Sequence, residues 1–286
     1  MGARIAHADD IYASAAAFLH ARYDGLHNQL DHNQFQKPLY LDSSETPDRV
    51  TGDIYGRIDY PFATVRAALN NPGDWCDIMI LHVNTKYCRA SPGSRGAVLR
   101  LSIGRKYDVP LENAYRVDFA YRVAAQTADY LQVTLDADAG PLSTRDYRIV
   151  LEAVPLESGR TFIHFSYSFS YGLVGRLALQ VYLATIGRDK VGFAVVGTRS
   201  DGQPLYIGGI RGLVERNTMR YYLAIEAFLG AESAPAQARL ERRLRAWFAA
   251  IERYPRQLHE MERDEYLAMK RKEYLRQQSD LQPPPV

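Results

Sequence analysis

The chain has 286 residues, which is enough for one large domain or two small ones. Its formal net charge of +2 gives no argument for a nucleic-acid partner, and its apolar fraction of 47% is that of a globular protein. The sequence contains no apolar run of the roughly 18–20 residues that a transmembrane helix needs, so none is expected.

The first predicted element is a helix from Asp9 to Tyr23, with an aspartate at its start and apolar residues along one side. Ala6-His7-Ala8 precedes it and resembles the end of a signal peptide, where small residues flank one position and acids follow. We therefore expect a periplasmic or secreted protein, with a cytoplasmic protein as the alternative.

Short elements follow up to Arg89. Pro61 favours a helix start, because its missing N–H costs nothing in the first turn. Asn70 to Gly73 then breaks that helix. The predicted elements are strands at 39–42 and 53–59, a helix after Pro61, a second short helix from Trp75 to about Leu81, and a strand at 82–89.

The two cysteines, Cys76 and Cys88, are close in sequence and lie on either side of a predicted helix-to-strand turn. Two cysteines alone cannot define a disulfide framework. The chain can nevertheless fold back at this turn, and export would place the protein in an oxidising compartment. We expect Cys76 and Cys88 to be bonded, with two free buried thiols as the alternative.

Five segments between Ala97 and Tyr171 alternate apolar and polar residues with a period of two. In Tyr115–Val123, apolar and aromatic residues occupy the odd positions, while arginine, aspartate and alanine occupy the even ones. Because each strand has one polar face, the pattern predicts an antiparallel meander. The five segments are 99–103, 115–123, 131–135, 147–151 and 163–171.

The apolar face of this sheet is rich in tyrosine and phenylalanine, which predicts a continuous interior. Arg145 lies two residues before Tyr147 and shares its parity, so it is expected to point inward toward the polar group of a ligand. A rim arginine that reaches water is the alternative. His164 falls on the polar face and is expected to be exposed.

The segment after Tyr171 has a different character. Leu173–Ile186 is apolar nearly all round, which predicts a helix that is buried or faces lipid. Ser200-Asp201-Gly202 predicts a hairpin turn. A long helix at 210–229 follows, with Tyr221 in its apolar stripe and Asn217 within the same stripe. Two further helices are predicted at 235–251 and up to about residue 278.

This order of elements, together with Asn71-Pro72-Gly73-Asp74-Trp75 in the second short helix, resembles the START-like helix-grip superfamily. The resemblance covers about 52–229 and implies an α+β fold, in which a curved antiparallel sheet surrounds a long C-terminal helix. Extra helices lie at both ends. The expected organisation is an N-terminal extension at 1–50, a helix-grip domain at 51–230 with an insertion at 172–209, and a helical extension at 231–286. A lipocalin-like barrel is the alternative fold.

The sequence contains none of the common catalytic or metal-binding motifs, so no cofactor and no metal are expected. The resemblance implies non-enzymatic binding or transport of a lipid or another apolar or amphipathic small molecule. The expected ligand-binding residues are Phe119, Tyr121, Arg145, Tyr147, Phe165, Tyr167, Phe169, Asn217 and Tyr221.

Two other functions remain open. One is a structural or assembly protein whose cavity is filled by its own side chains, with an unknown protein partner. The other is a cyclase, dehydratase or hydrolase that uses the same cavity, with His82 or Glu215 as candidate acid or base. If the protein is a carrier, the Leu173–Ile186 helix is expected to cover the entrance of the cavity and to make transient contact with a membrane.

Overall fold

The computed structural model describes residues 8–94, 96–157, 159–185 and 187–279. Most of Ala6-His7-Ala8 therefore lies outside the described residues. The helices are α1 (Ala8–Gly25), α2 (His27–Asp31), α3 (Phe62–Leu69), α4 (Pro72–Met79), α5 (Leu173–Thr185), α6 (Gly209–Leu229), α7 (Ala236–Ile251), α8 (Pro255–Leu258) and α9 (Arg263–Ser279). The strands are β1 (Leu39–Glu45), β2 (Arg49–Ile58), β3 (Thr85–Gly93), β4 (Gly96–Ile103), β5 (Tyr115–Gln126), β6 (Leu131–Ala139), β7 (Thr144–Pro155), β8 (Thr161–Tyr171), β9 (Val195–Thr198) and β10 (Pro204–Tyr206).

Eight strands form one antiparallel sheet in the order β1-β2-β8-β7-β6-β5-β4-β3. The run from β3 to β8 is a meander, as the alternation predicts, and the β1-β2 hairpin joins it through β2 and β8. β1 and β3 are the two edges of this sheet, so the lipocalin-like barrel is wrong for the described residues. β9 and β10 form a separate hairpin inside the insertion.

Helix α6 packs across one face of the sheet, which we call the inner face, and contacts β1, β2 and β8. Two glycines of β2 allow this close approach. A Cβ atom at Gly52 would lie 2.4 Å from Thr218 Oγ1, and one at Gly56 would lie 2.1 Å from the Tyr222 hydroxyl. A long C-terminal helix held against an antiparallel sheet is the helix-grip architecture, so the predicted fold is confirmed.

The opposite, outer face is less exposed than its polar residues predict. Helices α1 and α2 lie over it, and Leu19 and Leu30 pack in one cluster with Tyr130 and Phe162 of the sheet. The alternation identifies two different faces correctly, but it does not show which of them an additional helix will cover.

The C-terminal helices are integral to the core. Trp247 of α7 and Tyr266 of α9 stack with ring centroids 5.1 Å apart, and both are fully buried. Helix α9 also covers the edge strand β3, where the Cys88 backbone N–H donates to Gln277 Oε1 at 3.1 Å. Covering an edge strand in this way removes a surface that could pair with another chain.

A buried charge cluster holds α9 in place, and we call it the Glu273 cluster: Lys86, Lys270 and Glu273. All three side chains are 0% exposed, with the two ammonium groups 3.1 and 2.7 Å from the carboxylate oxygens. No helix in the described part of the chain is long and apolar enough to cross a membrane.

Candidate functional site

The aromatic residues predicted for the interior do lie between the sheet and α6. Phe119, Tyr121, Phe165, Tyr167, Phe169 and Tyr221 are all buried, and Tyr147 is partly buried against the same core. The rings touch one another, with centroids 5.3 Å apart for Tyr147–Phe169 and 5.7 Å apart for Tyr167–Tyr221. The predicted continuous aromatic interior is therefore present.

The expectation that Arg145 points into this interior is wrong. Its side chain is 54% exposed and pairs with the neighbouring Asp146 at 3.0 Å. The ladder between β7 and β8 shifts register between Arg145 and Arg148, and Asp146 has a φ of 51°. This bulge reverses the parity of the strand, so Arg145 and Tyr147 face opposite sides.

Asn217 lies at the boundary between the aromatic interior and a polar region beside α6. Burial raises the pKa of Tyr167 well above its ordinary value, and the Asn217 amide opposes this rise. Burial lowers the pKa of His82, and Asn217 again opposes the shift. Asn217 therefore interacts with both side chains and links the tyrosines to the histidine.

His82 is buried and stacks on Tyr221, with ring centroids 4.8 Å apart. Burial, followed by the charges of Arg220 and Lys270, lowers its pKa well below 6.5, so the ring is neutral at neutral pH. The backbone N–H of Asn84 donates to His82 Nδ1 at 3.1 Å, which places the ring proton on Nε2. That Nε2 makes no hydrogen bond with the described residues.

Glu215, the other candidate acid or base, is fully engaged in holding the insertion against α6. Its carboxylate accepts hydrogen bonds from Ser43 Oγ at 2.6 Å and from the backbone N–H groups of Phe193 and Ala194 at 2.5 and 3.0 Å. A carboxylate with three donors and no exposed surface positions the chain and is not free to exchange protons with a substrate.

Helix α5 lies over one end of the aromatic interior, where Leu179 and Leu183 join the core that contains Phe169. Gly175 brings its first turn against the end of β8, because a Cβ there would lie 2.8 Å from the Ser143 carbonyl and 3.2 Å from Tyr171 Cβ. The remaining apolar side chains of α5 face outward. Leu173, Val174, Leu177 and Val181 are between 57% and 88% exposed.

Sequence reasoning missed a cluster of charged side chains on the other side of α6, formed by Arg216 and Arg220 with Glu260, Lys106 and Lys190. We call it the Glu260 cluster. The four-residue spacing of Arg216 and Arg220 was a signal that they share a helix face. Nothing local in the sequence predicts that the segment around Glu260 returns to cover that face.

His164 is the remaining histidine that the sequence singled out, and its predicted exposure is wrong. Its Nε2 lies 2.9 Å from Asp53 and its Nδ1 lies 2.7 Å from Glu152, while its ring stacks on Tyr55 at 4.3 Å. Burial lowers the pKa of His164, but the two carboxylates outweigh it and raise the value to about 9. The arrangement leaves neither ring nitrogen available.

Cys76 and Cys88 form a disulfide, as predicted, with their Cα atoms 5.2 Å apart. The bond joins α4 to β3 next to the core, and both residues are buried. It therefore fixes the strand that precedes the meander to the helix beside the aromatic interior.

No protein-family profile matches this chain, and no curated protein sequence matches it. Among solved structures, it is similar to norcoclaurine synthase from Thalictrum flavum in complex with dopamine and hydroxybenzaldehyde, at 11% identity and a TM-score of 0.34 over 52% of this chain and 79% of that one. It is similar to Ara h 8.0201 at 12% identity and a TM-score of 0.37, over 68% and 99%.

A conserved protein of unknown function from Enterococcus faecalis is similar at 9% identity and a TM-score of 0.32, over 85% of this chain and 92% of that one. These values carry no argument about activity. The helix-grip fold of this chain rests on its own strand order and on the position of α6.

Proposed function

We propose that this protein binds and carries an apolar or amphipathic small molecule, a lipid among the candidates, without chemical conversion. The observation that carries the proposal is the outward apolar face of α5, at the end of an interior lined by aromatic rings. Large exposed apolar patches on a folded protein mark contact surfaces. In this proposal α5 covers the opening through which the ligand passes.

The interior supports the proposal with the chemistry that such a ligand needs. Tyr167 and Tyr221 lie between the sheet and α6, yet they keep 6% and 9% of their surface accessible. Apolar walls with a few convergent polar groups are typical of small-molecule sites. The ligand body would lie against the aromatic rings, and its polar group would lie toward Asn217 and His82.

Binding of 1-decanol, measured by displacement of the neutral probe N-phenyl-1-naphthylamine, tests this proposal. We expect saturable binding by the wild type and a roughly tenfold loss in Tyr167→Trp, because the larger indole occupies the ligand's space. Tyr107→Trp is the matched control, since Tyr107 is half exposed and is not part of the core that contains the aromatic interior. Absence of saturable binding by the wild type of 1-decanol and of its anionic analogues decanoate and decyl phosphate would refute carriage.

Transient membrane contact through α5 is the second part of the proposal. Leu177→Asp is expected to reduce cosedimentation with phosphatidylcholine–phosphatidylglycerol vesicles several-fold, because a charge on the contact face must be desolvated. Leu275→Asp is the control, since Leu275 on α9 is 67% exposed and Leu177 is 62% exposed. Equal losses in both variants would contradict a contact specific to α5.

A structural protein with a self-filled interior is the second candidate. It is favoured by the direct ring contacts between sheet and α6, and by pockets of about 390 and 480 Å³ that lie beside Tyr60 and Asp74 and not among the aromatic rings. The enzyme alternative retains only His82, because Glu215 is engaged. We also propose a periplasmic or secreted location, since a buried disulfide persists best in an oxidising compartment.

A further inference from the structure

The Glu260 cluster brings several cations to one carboxylate. Lys106 Nζ lies 2.5 Å and Lys190 Nζ 3.7 Å from Glu260 Oε2, and the Arg220 guanidinium donates to Oε1. Burial alone would raise the pKa of Glu260, but Arg220 and Lys106 outweigh it and lower the pKa. Glu260 is therefore ionised, and each of its oxygens accepts a hydrogen bond from one of these cations.

Arg216 is the fourth cation of the cluster and receives no such partner. It is 2% exposed, and its Nε and Nη1 make no hydrogen bond with the described residues. Burial, and then the charge of Arg220, lower its pKa to about 10, so the guanidinium stays charged at neutral pH. Glu260, then Tyr182 and Glu215, oppose this shift through their charges, but none of them forms a hydrogen bond with Arg216 Nε or Nη1.

An unpaired buried guanidinium is strongly unfavourable unless something neutralises it. Another buried arginine of this chain shows the usual arrangement. Arg243 donates to Asp77 at 2.7 Å and to Glu232 at 2.8 Å and lies 4.0 Å from the Phe228 ring, and among its nitrogens Nε is left without a partner in the described residues. Arg216 lacks such partners at its Nε and Nη1, so the described residues alone do not satisfy this guanidinium.

A second buried polar group, His82, lies in the field of Arg220, which also acts on Arg216. Arg220 contributes to the lowered pKa of His82 as well as to that of Arg216. The Asn217 side chain, which accepts from Arg220 Nη1 at 3.5 Å, connects His82 to Tyr167 of the aromatic interior. The polar region thus continues from the aromatic rings to the unpaired guanidinium.

We propose that Arg216 binds the oxyanion of the carried ligand, a carboxylate or a phosphate, with Arg220, Lys106 and Lys190 adding to the positive field. This inference rests on the proposed function and narrows its ligand to an anionic amphiphile. The apolar body lies among the aromatic rings, and the charged group lies at the Glu260 cluster. Charge-assisted hydrogen bonds to a guanidinium are the interactions that such a group forms most strongly.

Three ligands that differ only in their head group test the proposal: decanoate, decyl phosphate and 1-decanol. The wild type is expected to bind at least one anion about 10- to 100-fold more tightly than the alcohol, as charge-assisted hydrogen bonds imply. In Arg216→Leu this preference disappears, while the affinity for 1-decanol is unchanged. Arg122→Leu is the matched control, since Arg122 is exposed on β5 and keeps the preference.

Glu260→Gln gives an effect of the opposite sign, which general damage to the fold cannot imitate. Removing the competing carboxylate leaves more positive charge, so anion affinity is expected to rise several-fold. The same variant keeps the test decisive if Arg216→Leu does not fold. Whichever anion is favoured tells a carboxylate ligand from a phosphate ligand.

The outcomes separate this inference from the proposed function. If the wild type binds 1-decanol as tightly as both anions, or if Arg216→Leu keeps the preference, the anion site is refuted and carriage stands. If the wild type binds none of the three ligands, both proposals are refuted.

Discussion

The Glu273 cluster and the Glu260 cluster both combine one glutamate with basic residues. They differ in whether the chain itself supplies partners for the buried hydrogen-bond donors. Each places one carboxylate from the C-terminal segment beside two buried cations, Lys86 and Lys270 in the first and Arg216 and Arg220 in the second. In the Glu273 cluster, Lys270 donates to the His82 and Thr85 carbonyls and to Glu273, all at 2.7 Å. Lys86 likewise donates to the Val83 carbonyl at 3.0 Å and to Glu273 at 3.1 Å.

In the Glu260 cluster one cation is left over, because Arg216 has two buried nitrogens without a partner. The difference separates a cluster that holds the fold from the one for which we propose a ligand. In the first the chain satisfies its own donors, as buried polar groups require. In the second, two donors of Arg216 are unsatisfied, and the proposed anion site rests on them.

The largest expected effect on stability comes from a substitution in the Glu273 cluster. Glu273→Gln leaves two fully buried ammonium groups without a counter-charge, so we expect a loss of about 3–5 kcal/mol in the free energy of unfolding by urea. Glu265→Gln, an exposed position on the same helix, is the control and is expected to change stability by less than about 1 kcal/mol. A loss below 1 kcal/mol in Glu273→Gln would show that this cluster does not hold α9 in place.

His164, Asp53 and Glu152 form a third cluster in which the chain supplies all partners, and it predicts that the stability of the fold depends on pH. The folded pKa of about 9 lies above the ordinary 6.5, so its contribution to stability is fully present below about pH 6.5 and is lost as pH rises through about 9. This difference between the two pKa values corresponds to at most about 3 kcal/mol in the free energy of unfolding. Urea unfolding of wild type and His164→Gln from pH 6 to 9.5 measures it, and parallel pH curves for the two proteins would contradict the pairing with Asp53 and Glu152.

Glu260→Gln is expected to lower the free energy of unfolding by about 2 kcal/mol, which is less than the loss expected in Glu273→Gln. The reason is that Lys106 and Lys190 are 21% and 23% exposed and can turn toward water. Added decanoate is expected to restore part of this stability, since a ligand that binds only the folded state stabilises it. Glu273→Gln under the same conditions is the control. Equal recovery of both variants would remove the distinction between the clusters.

The smallest change is expected from Arg216→Leu in the absence of ligand. Removing a charge that has no partner is expected to change the free energy of unfolding by about 1 kcal/mol or less, or to raise it. Lys270→Met in the Glu273 cluster is the comparison, because it leaves Glu273 and two carbonyls with lost donors and destabilises the fold by several times more. An equally large loss in Arg216→Leu would mean that Arg216 is paired within the chain.

The sequence by itself determined the features that depend on local spacing. The period of two identified the strands of the meander, the inward rings of β5 and β8, and the long helix that packs on them. The closeness of Cys76 and Cys88 predicted their bond. These predictions succeed because alternation along a strand fixes which side chains share a face, whatever lies opposite.

Only the tertiary structure decided what covers each face. A bulge at Asp146 turned Arg145 outward, helix α1 covered the outer face around His164, and the segment around Glu260 returned to bury Arg216. Each outcome depends on backbone irregularity or on an element distant in sequence, and neither leaves a periodic signal. The candidate anion site was therefore invisible in the sequence, because two arginines four residues apart become a binding site only when another part of the chain excludes water from them.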